Sequence, residues 1–295
     1  MTLSVIIPAH GREELLILCL KSLDKNVQGD REYDVCVIDD GSGLDEGSVR
    51  EKGAVSYPLI WRQFETRRGR SAARNEGIRA ATGGIIVFLD SDMEAREGFL
   101  RAHVESHRNR PHTAAIGKIV WPNGGGFIRY IGSRGITKLK PESDAPPWYF
   151  VTGNSSVERA DLPGNAPFDE TIPGWGGEDQ DLGMKLANAG VRFVPAPDAE
   201  SYHHFHGGLS GHLRRTQLYG SRSLPILAGR YPELRRALHL DLLRSPAWKL
   251  LISSPAFHAL SWAAQMLDVF PLPVKLYDYL TFAAYSRGFL EAEKK

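Results

Sequence analysis

Cysteine is nearly absent. Cys19 and Cys36 are the only two in 295 residues, too few for a disulfide framework and well suited to a reduced interior. An excess of one charge is missing too. Thirty-six basic side chains stand against 35 acidic ones, a formal net charge of +1. That balance gives no global electrostatic pull toward nucleic acid. No run of about eighteen uninterrupted apolar residues occurs, so nothing reads as a membrane span. The nearest approach, Ala256 to Val274, is broken by His258, Gln265, Asp268 and two prolines. The first residues hold no basic n-region and no long apolar h-region, which predicts a cytoplasmic protein. Internal repeats and low-complexity tracts are also lacking. What remains is 42% hydrophobic and 24% charged, a composition that excludes wholesale disorder and suits one large α/β domain or two modest ones.

Short apolar runs alternate with amphipathic helical patterns over the first hundred residues, the signature of a parallel sheet with crossover helices. Ser4 to Pro8, Val35 to Ile38 and Ile85 to Leu89 read as buried strands, and Ala114 to Ile116 begins another. Helices are predicted from Glu13 to Leu23, Ser71 to Ala81 and about Glu97 to His107. Residues 121 to 177, rich in Gly, Pro and Trp, predict loops and short antiparallel strands. Regular structure resumes with a helix from Glu178 to Ala189 and a strand from Val191 to Val194. Beyond Leu209 the chain reads as helices cut by prolines.

Two strands end in acidic groups, Asp39-Asp40 and Asp90-Ser91-Asp92. In an open parallel sheet, ligands bind beyond the carboxyl ends of the strands. Clustered carboxylates repel one another unless a cation or donor compensates, and a hard divalent ion shared with substrate phosphates is the usual solution. Asp residues also shape turns and cap helices, and a lone Asp-x-Asp would be read that way. Two acidic groups directly after apolar strands favour the ligand reading. No Gly-x-Gly-x-x-Gly loop follows the first strand and no P-loop occurs, so phosphates are expected to be held through a metal.

The segments Ser-Val-Ile-Ile-Pro-Ala, Val-Ile-Asp-Asp-Gly-Ser, Ser-Ala-Ala-Arg-Asn-Glu-Gly-Ile and Phe-Leu-Asp-Ser-Asp together resemble glycosyltransferase family 2. The resemblance implies an α/β GT-A fold: a mixed, mainly parallel sheet flanked by helices, here with a C-terminal helical extension. It also implies a nucleotide-diphosphate sugar donor and Mn²⁺ or Mg²⁺ as cofactor. By the same match Pro8 and Ala9 lie beside the nucleotide, Asp40 accepts from the base, and Arg74 approaches the base or diphosphate. Asp90 and Ser91 face the ribose side, and Asp92 coordinates the metal. His10 and Arg12 also lie within reach of a nucleotide, although a solvated loop is the reading preferred for both.

In the second half, Gly174-Trp175-Gly176-Gly177-Glu178-Asp179-Gln180-Asp181 combines flexible backbone, a flat apolar ring suited to a sugar, and carboxylates at a helix start. Composition alone also allows a turn with N-terminal helix charges. The segment is similar to the acceptor motif of inverting galactosyl- and N-acetylgalactosaminyltransferases, as are Thr152-Gly153-Asn154-Ser155-Ser156 and Phe168-Asp169-Glu170. That similarity implies Asp179 as catalytic base, Glu178 bound to acceptor hydroxyls, and Trp175 and Gly176 on the acceptor side; Asp181 is read as stabilising the helix start. Alternate residues of His203-His204-Phe205-His206 face one way in an extended segment. A metal-completing histidine is implied by the resemblance, with His204 favoured over His206 and with His203 and His212 behind them.

Three parts are expected: a nucleotide-sugar-binding half (1–117), an acceptor-binding and catalytic half (118–208) and a helical extension (209–295). Arginines and aromatics in the extension admit contact with the inner face of a membrane or with a second copy, but packing on the rest of the protein is preferred. The acceptor class stays open among glycan, lipid-linked, peptide and small-molecule acceptors. Two competing functions are a nucleotidyltransferase of related fold, for which Pro8-Ala9-His10-Gly11-Arg12 makes a poor triphosphate loop, and a non-catalytic nucleotide-sugar-binding protein.

Overall fold

Apolar runs short enough to be strands become neighbours in one sheet, and the amphipathic segments between them become its covering helices. The computed structural model describes residues 2–26, 33–122, 124–140, 143–173, 176–204, 207–253, 255–268, 270 and 272–294. The chain runs β1 (Leu3–Ala9), α1 (Glu13–Asp24), β2 (Tyr33–Asp39), α2 (Glu46–Gly53), β3 (Leu59–Gln63), α3 (Arg70–Ala80), β4 (Ile85–Leu89), β5 (Met93–Ala95) and α4 (Phe99–His107). Then follow β6 (Thr113–Val120), α5 (Gly126–Gly132), β7 (Asn154–Glu158), α6 (Glu178–Asn188) and β8 (Arg192–His203). Helices α7 (Leu209–Arg230), α8 (Pro232–Ala237), α9 (Pro246–Ser253), α10 (Pro255–Met266) and α11 (Val274–Ala292) complete it.

Two compact units emerge: Met1–Pro122, Arg134–Glu170 and Glu178–Phe205 form the first, and Asn123–Ser133, Thr171–Gly177 and His206–Lys295 the second. The first holds an eight-stranded sheet in the order β3-β2-β1-β4-β7-β6-β8-β5. Strands β1, β2, β3 and β4 pair in parallel, as do β6 and β8; β7 and β5 run antiparallel to their neighbours. Alternation along each strand sorts the core by face. Val5, Ile7, Val35, Val37, Val87 and Leu89 pack with Leu16 and Leu20 of α1 and Phe99 of α4. Ile6, Cys36, Ile38, Ile86 and Phe88 pack with Ala73 and Ile78 of α3 and Leu182 and Leu186 of α6.

Asn154 pins the middle of the sheet. Its amide nitrogen donates to the Ala199 carbonyl and Ser201 Oγ, both at 2.9 Å. Its oxygen meets His103 Nε2 at 3.0 Å, and His103 Nδ1 meets Ser156 Oγ at 2.9 Å. His107 Nε2 reaches the same hydroxyl at 2.8 Å. One buried polar network thus joins α4, β7 and β8, and buried polar atoms so partnered avoid most of their desolvation cost.

Sequence patterning passes over two elements of this unit. β3 is short, with Arg62 and Gln63 exposed, and α2 buries only Val49 and Gly53. Neither shows a periodic apolar face. β8 is longer than its apolar run. It continues past Pro195 and Pro197 through a register shift against Gly117 and Lys118, then pairs with β5. A bulge of this kind accommodates residues that cannot donate to a regular ladder.

The second unit is helical around Phe127 and Tyr130 of α5, Leu213 and Leu224 of α7, and Leu280 and Ala284 of α11. α5 lies where loops or strands are predicted. Tertiary contacts support it: Asp268 Oδ1 accepts from Phe127 N at 2.7 Å and from the Tyr277 hydroxyl at 2.8 Å. Among the described residues no helix is long and apolar enough to cross a membrane.

Candidate active site

The carboxyl ends of β2, β1 and β4 lie side by side because those strands are adjacent and parallel. Asp39 closes the turn after β2. Its carboxylate accepts from Gly43 N and Leu44 N at 3.0 Å each and from Gln63 Nε2 at 2.9 Å, and also takes the Ser42 hydroxyl. With no exposed surface, it fits the turn-shaping role. Asp40 is also buried, and its Oδ1 accepts from Arg68 N at 2.6 Å and Gly69 N at 3.0 Å. This carboxylate holds the loop that enters α3. Gly41, at φ 67°, lies so close to the backbone of Thr66 and Arg67 that a Cβ there would overlap it. Pro8 and Ala9 at the end of β1 are buried, and Ala9 O accepts from Asp40 N at 2.8 Å.

The Arg-Asn pair of α3 has two separate tasks. Asn75 Nδ2 donates to the Phe168 carbonyl at 2.9 Å and Glu170 at 3.0 Å, and Asn75 Oδ1 accepts from Phe168 N at 3.0 Å. It therefore fastens the Phe168-Asp169-Glu170 segment to the helix. Arg74 is 1% exposed and lies among carboxylates. Its guanidinium donates to Asp90 Oδ1 at 2.9 Å and Glu178 Oε1 at 3.1 Å, with Asp179 Oδ1 at 3.5 Å. Burial opposes the charge on Arg74, but Asp179, Asp90 and Glu178 outweigh it and raise its pKa. The sequence match implies contact with a base or diphosphate; the observed side chain is instead enclosed and spends its donors on acids.

Glu178 opens α6 and is 5% exposed. Burial works against its charge, yet Arg70 at 3.7 Å and Arg74 prevail, so its pKa is lowered. Asp179 is moved the other way. Burial, and then the charge of Glu178, push it from 3.8 up to about 6, against the pull of Arg74 and a hydrogen bond from Thr152 Oγ1 at 2.6 Å. Two adjacent carboxyl groups held apart in acidity is the pattern by which a site separates a proton acceptor from a fixed charge. Asp181 has no exposed surface and pairs with Lys185 one turn along at 2.7 Å. Gly176 and Gly177, which precede this helix in sequence, have φ 85° and 102°, conformations that suit glycine, and lie against Tyr219 and Ser223 of α7. Trp175 lies outside the described residues.

Asp92 lies beyond β4, partly exposed, with Arg12 Nη1 and His203 Nε2 each at 3.4 Å. Burial raises its pKa less than His203 and Arg12 lower it. Trp121 Nε1 donates to His203 Nδ1 at 3.1 Å, leaving Nε2 turned to Asp92. The preference for His204 is reversed by this geometry. β8 extends to His203, which pairs with Met93, and the alternation of a strand sends the next imidazole elsewhere. His204 Nε2 meets Glu94 Oε2 at 2.9 Å. His206 lies outside the described residues. Arg12 and Arg70 are site residues that sequence reasoning passed over or set aside; the basic run Arg67-Arg68-Gly69-Arg70 before α3 was the available signal.

Asp92 offers a carboxylate oxygen suited to a divalent cation of Mn²⁺ type. With Nδ1 accepting from Trp121, the neutral His203 ring carries its proton on Nε2, so ligation by His203 would require the Trp121 hydrogen bond to be given up. Among the described residues, no group of three or more His, Cys, Asp and Glu is placed to hold a metal ion. The described donors fit a cation shared with a ligand's phosphate oxygens.

Comparison with known proteins extends this geometry. Residues 4–162 match Glycosyl transferase family 2. The chain belongs to that family. Residues 133–207 also match the N-terminal domain of galactosyltransferase. A glycosyltransferase of Bacillus subtilis, YfnE, is 30% identical over 258 residues, covering 70% of this chain and 65% of that protein. The chain spans less than two thirds of the length of the curated relatives it matches. Among solved structures, the mannosyltransferase PcManGT of Pyrobaculum calidifontis, in complex with GDP-Man and Mn²⁺, superposes with TM-score 0.66. Its identity is 20%, over 99% of this chain and 86% of that one. GalNAc-T7, with UDP, GalNAc and Mn²⁺, gives 0.57 at 19% identity over 75% and 50% of the two chains. At such identities the likeness establishes the fold, and the fold is GT-A.

Proposed function

We propose that this family 2 protein is an inverting, metal-dependent glycosyltransferase that moves a sugar from a nucleotide-diphosphate donor, preferentially UDP-linked, to an acceptor hydroxyl. The observation that carries the reading is Arg74. One buried cation ties Asp90 of the Asp-x-Asp segment to Glu178 and Asp179 at the head of α6, so the donor-side and acceptor-side carboxylates form one unit. A nucleotide-binding scaffold without chemistry has no need of a carboxylate pushed toward neutral pH beside it.

In this reading Asp179 takes the proton of the acceptor hydroxyl as that oxygen attacks the anomeric carbon from the face opposite the leaving diphosphate. The C–O bond to the diphosphate breaks as the new one forms, with inversion and no enzyme-bound sugar. Thr152 orients the carboxylate that does this. Glu178, ionised beside Arg70 and Arg74, accepts hydrogen bonds from the acceptor. Asp40 and the end of β1, with Pro8 and Ala9, border the nucleotide. Asp92 and His203 would hold Mn²⁺ or Mg²⁺, which stabilises the negative charge developing on a leaving diphosphate. Asp90 and Ser91 line the ribose side. The complexes of relatives with UDP, GDP-Man and Mn²⁺ support this choice of donor class and metal.

Incubation with UDP-, GDP- and dTDP-sugars in the presence of Mn²⁺ tests the proposal. Slow release of nucleoside diphosphate from one of them, abolished by chelation, is the expected result. Release of pyrophosphate from a nucleoside triphosphate would point instead to a nucleotidyltransferase. Nucleotide-sugar binding by thermal shift without any release, with candidate acceptors present, would reduce the protein to a binding module.

A further inference from the structure

Three acids alternate along the chain after β4, and each meets a different partner. Asp90 Oδ1 takes Arg74 at 2.9 Å, and Glu94 Oε2 meets His204 at 2.9 Å. Asp92 is engaged on both oxygens, by His203 Nε2 on Oδ1 and by Arg12 Nη1 on Oδ2. The four partners differ in freedom. The side chain of Arg74 is 1% exposed, that of His203 20% and that of His204 28%, whereas Arg12 is 55% exposed. His203 is held further by Trp121. Of the four, Arg12 is the one that leaves its acid without opening packed structure, and an exposed ion pair of this kind holds weakly.

The backbone that carries Arg12 is fixed. His10 Nδ1 donates to the Asp40 carbonyl at 2.9 Å and Gly11 N donates to Ser42 Oγ at 2.7 Å, so the loop between β1 and α1 is fastened to the turn after β2. On its other side, Arg12 O accepts from Leu15 N and Leu16 N in the first turn of α1. Gly11 and Arg12 both have left-handed backbones, with φ 65° and 54°, a conformation that residues with a Cβ seldom adopt. Glu13, next in the chain, is turned to Lys52 at 2.7 Å. Arg12 is thereby stationed between the turn after β2 and Asp92. A divalent cation and a guanidinium on one carboxylate repel each other. Phosphate oxygens carried by that cation attract the guanidinium, in paired hydrogen bonds stronger than one to an exposed carboxylate.

We infer that Arg12 is an exchange residue of the donor site: it pairs with Asp92 until a divalent cation takes that carboxylate, and then pairs with the nucleoside diphosphate that the cation carries. Arg12 would thus oppose the metal on its own and favour metal and nucleotide together. The inference rests on the donor and metal roles proposed above and adds the coupling between them.

Mn²⁺ binding, read from the loss of free-ion signal in electron paramagnetic resonance, and UDP or GDP binding by titration calorimetry test this without turnover. Arg12→Gln should bind Mn²⁺ alone about two- to fivefold more tightly than wild type. With Mn²⁺ present it should bind nucleoside diphosphate on the order of tenfold more weakly. Arg12→Lys should keep the wild-type Mn²⁺ affinity, since the charge remains, but recover only part of the nucleotide affinity. Arg12→Gly suits the left-handed backbone and should repeat the Gln result, which places the effect in the side chain. Mn²⁺ affinity unchanged or weakened in both neutral variants overturns the exchange, as does unchanged nucleotide affinity, while Asp92→Ala still loses Mn²⁺-dependent nucleotide binding. If Mn²⁺ leaves wild-type nucleotide binding unaltered, the metal reading itself falls and the exchange with it.

Discussion

Thr152 donates its hydroxyl to Asp179 Oδ1 at 2.6 Å, and Thr152 itself has no exposed surface. A hydrogen bond to an ionised carboxylate fixes its direction and favours its charge. Asp179→Asn should therefore leave nucleotide binding intact while lowering kcat by on the order of a hundredfold or more. Thr152→Val should act through the same group, lowering activity at neutral pH and moving the acid limb of the rate profile upward. Equal kcat in wild type and Asp179→Asn would remove Asp179 from the role of base.

The raised pKa of Asp179 has a consequence of definite sign. A base must be ionised, so kcat/KM should fall as pH drops through about 6, approaching tenfold per pH unit. The negative charge of Glu178 raises that value and Arg74 lowers it. Glu178→Gln should shift the acid limb to lower pH and Arg74→Met to higher pH. Arg74→Met should also destabilise the first unit, by about 3–5 kcal/mol, because it strands buried carboxylates without their cation. A pH profile over the three proteins reads all of these shifts.

Metal dependence should follow Asp92 and His203 together. Asp92→Ala and His203→Ala are each expected to weaken Mn²⁺-dependent donor binding by about tenfold or more. His204→Ala, which removes the partner of Glu94, should have a smaller effect. Titration calorimetry with UDP, with and without Mn²⁺, checks the order. A larger loss at His204 than at His203 would contradict the assignment.

The buried imidazoles of α4 make an acid-sensitive joint. Burial lowers His103 from 6.5 to about 3 and His107 to about 4. The unfolded chain takes up protons near 6.5 while the folded chain does not, so stability is complete above that value and declines as pH falls toward the folded values. The slope is about 1.4 kcal/mol per pH unit for each ring, at most about 4 kcal/mol for both between pH 7 and 5. Urea unfolding at those two pH values should show the decline, and His103→Gln should reduce it. An unchanged midpoint would mean that these rings are hydrated in solution.

The strands and helices with a strong period were legible because burial on one side imprints it: β1, α1, β4 and α6 lie within a few residues of their predicted bounds. β3, α2 and α5 were not, since each has little apolar periodicity of its own and is supported by neighbours distant in sequence. The acidic strand ends and the Glu178-Asp179 pair were visible as residue types in telling places. The histidine nearest Asp92 was not, because a bulge opposite Gly117 and Lys118 sets the register with which β8 reaches β5.

By itself, the order of residues determined the family, the sheet with its crossover helices, and the edge at which carboxylates collect. These are local matters of periodicity, turn chemistry and motif. Only the tertiary structure decided that Arg74 faces Asp90, Glu178 and Asp179 together and that Asp39 serves its turn. The Arg74 contacts join segments 16 to more than a hundred residues apart, and Asp39 adds Gln63, 24 residues away, to a turn otherwise built of near neighbours; no local pattern encodes those meetings.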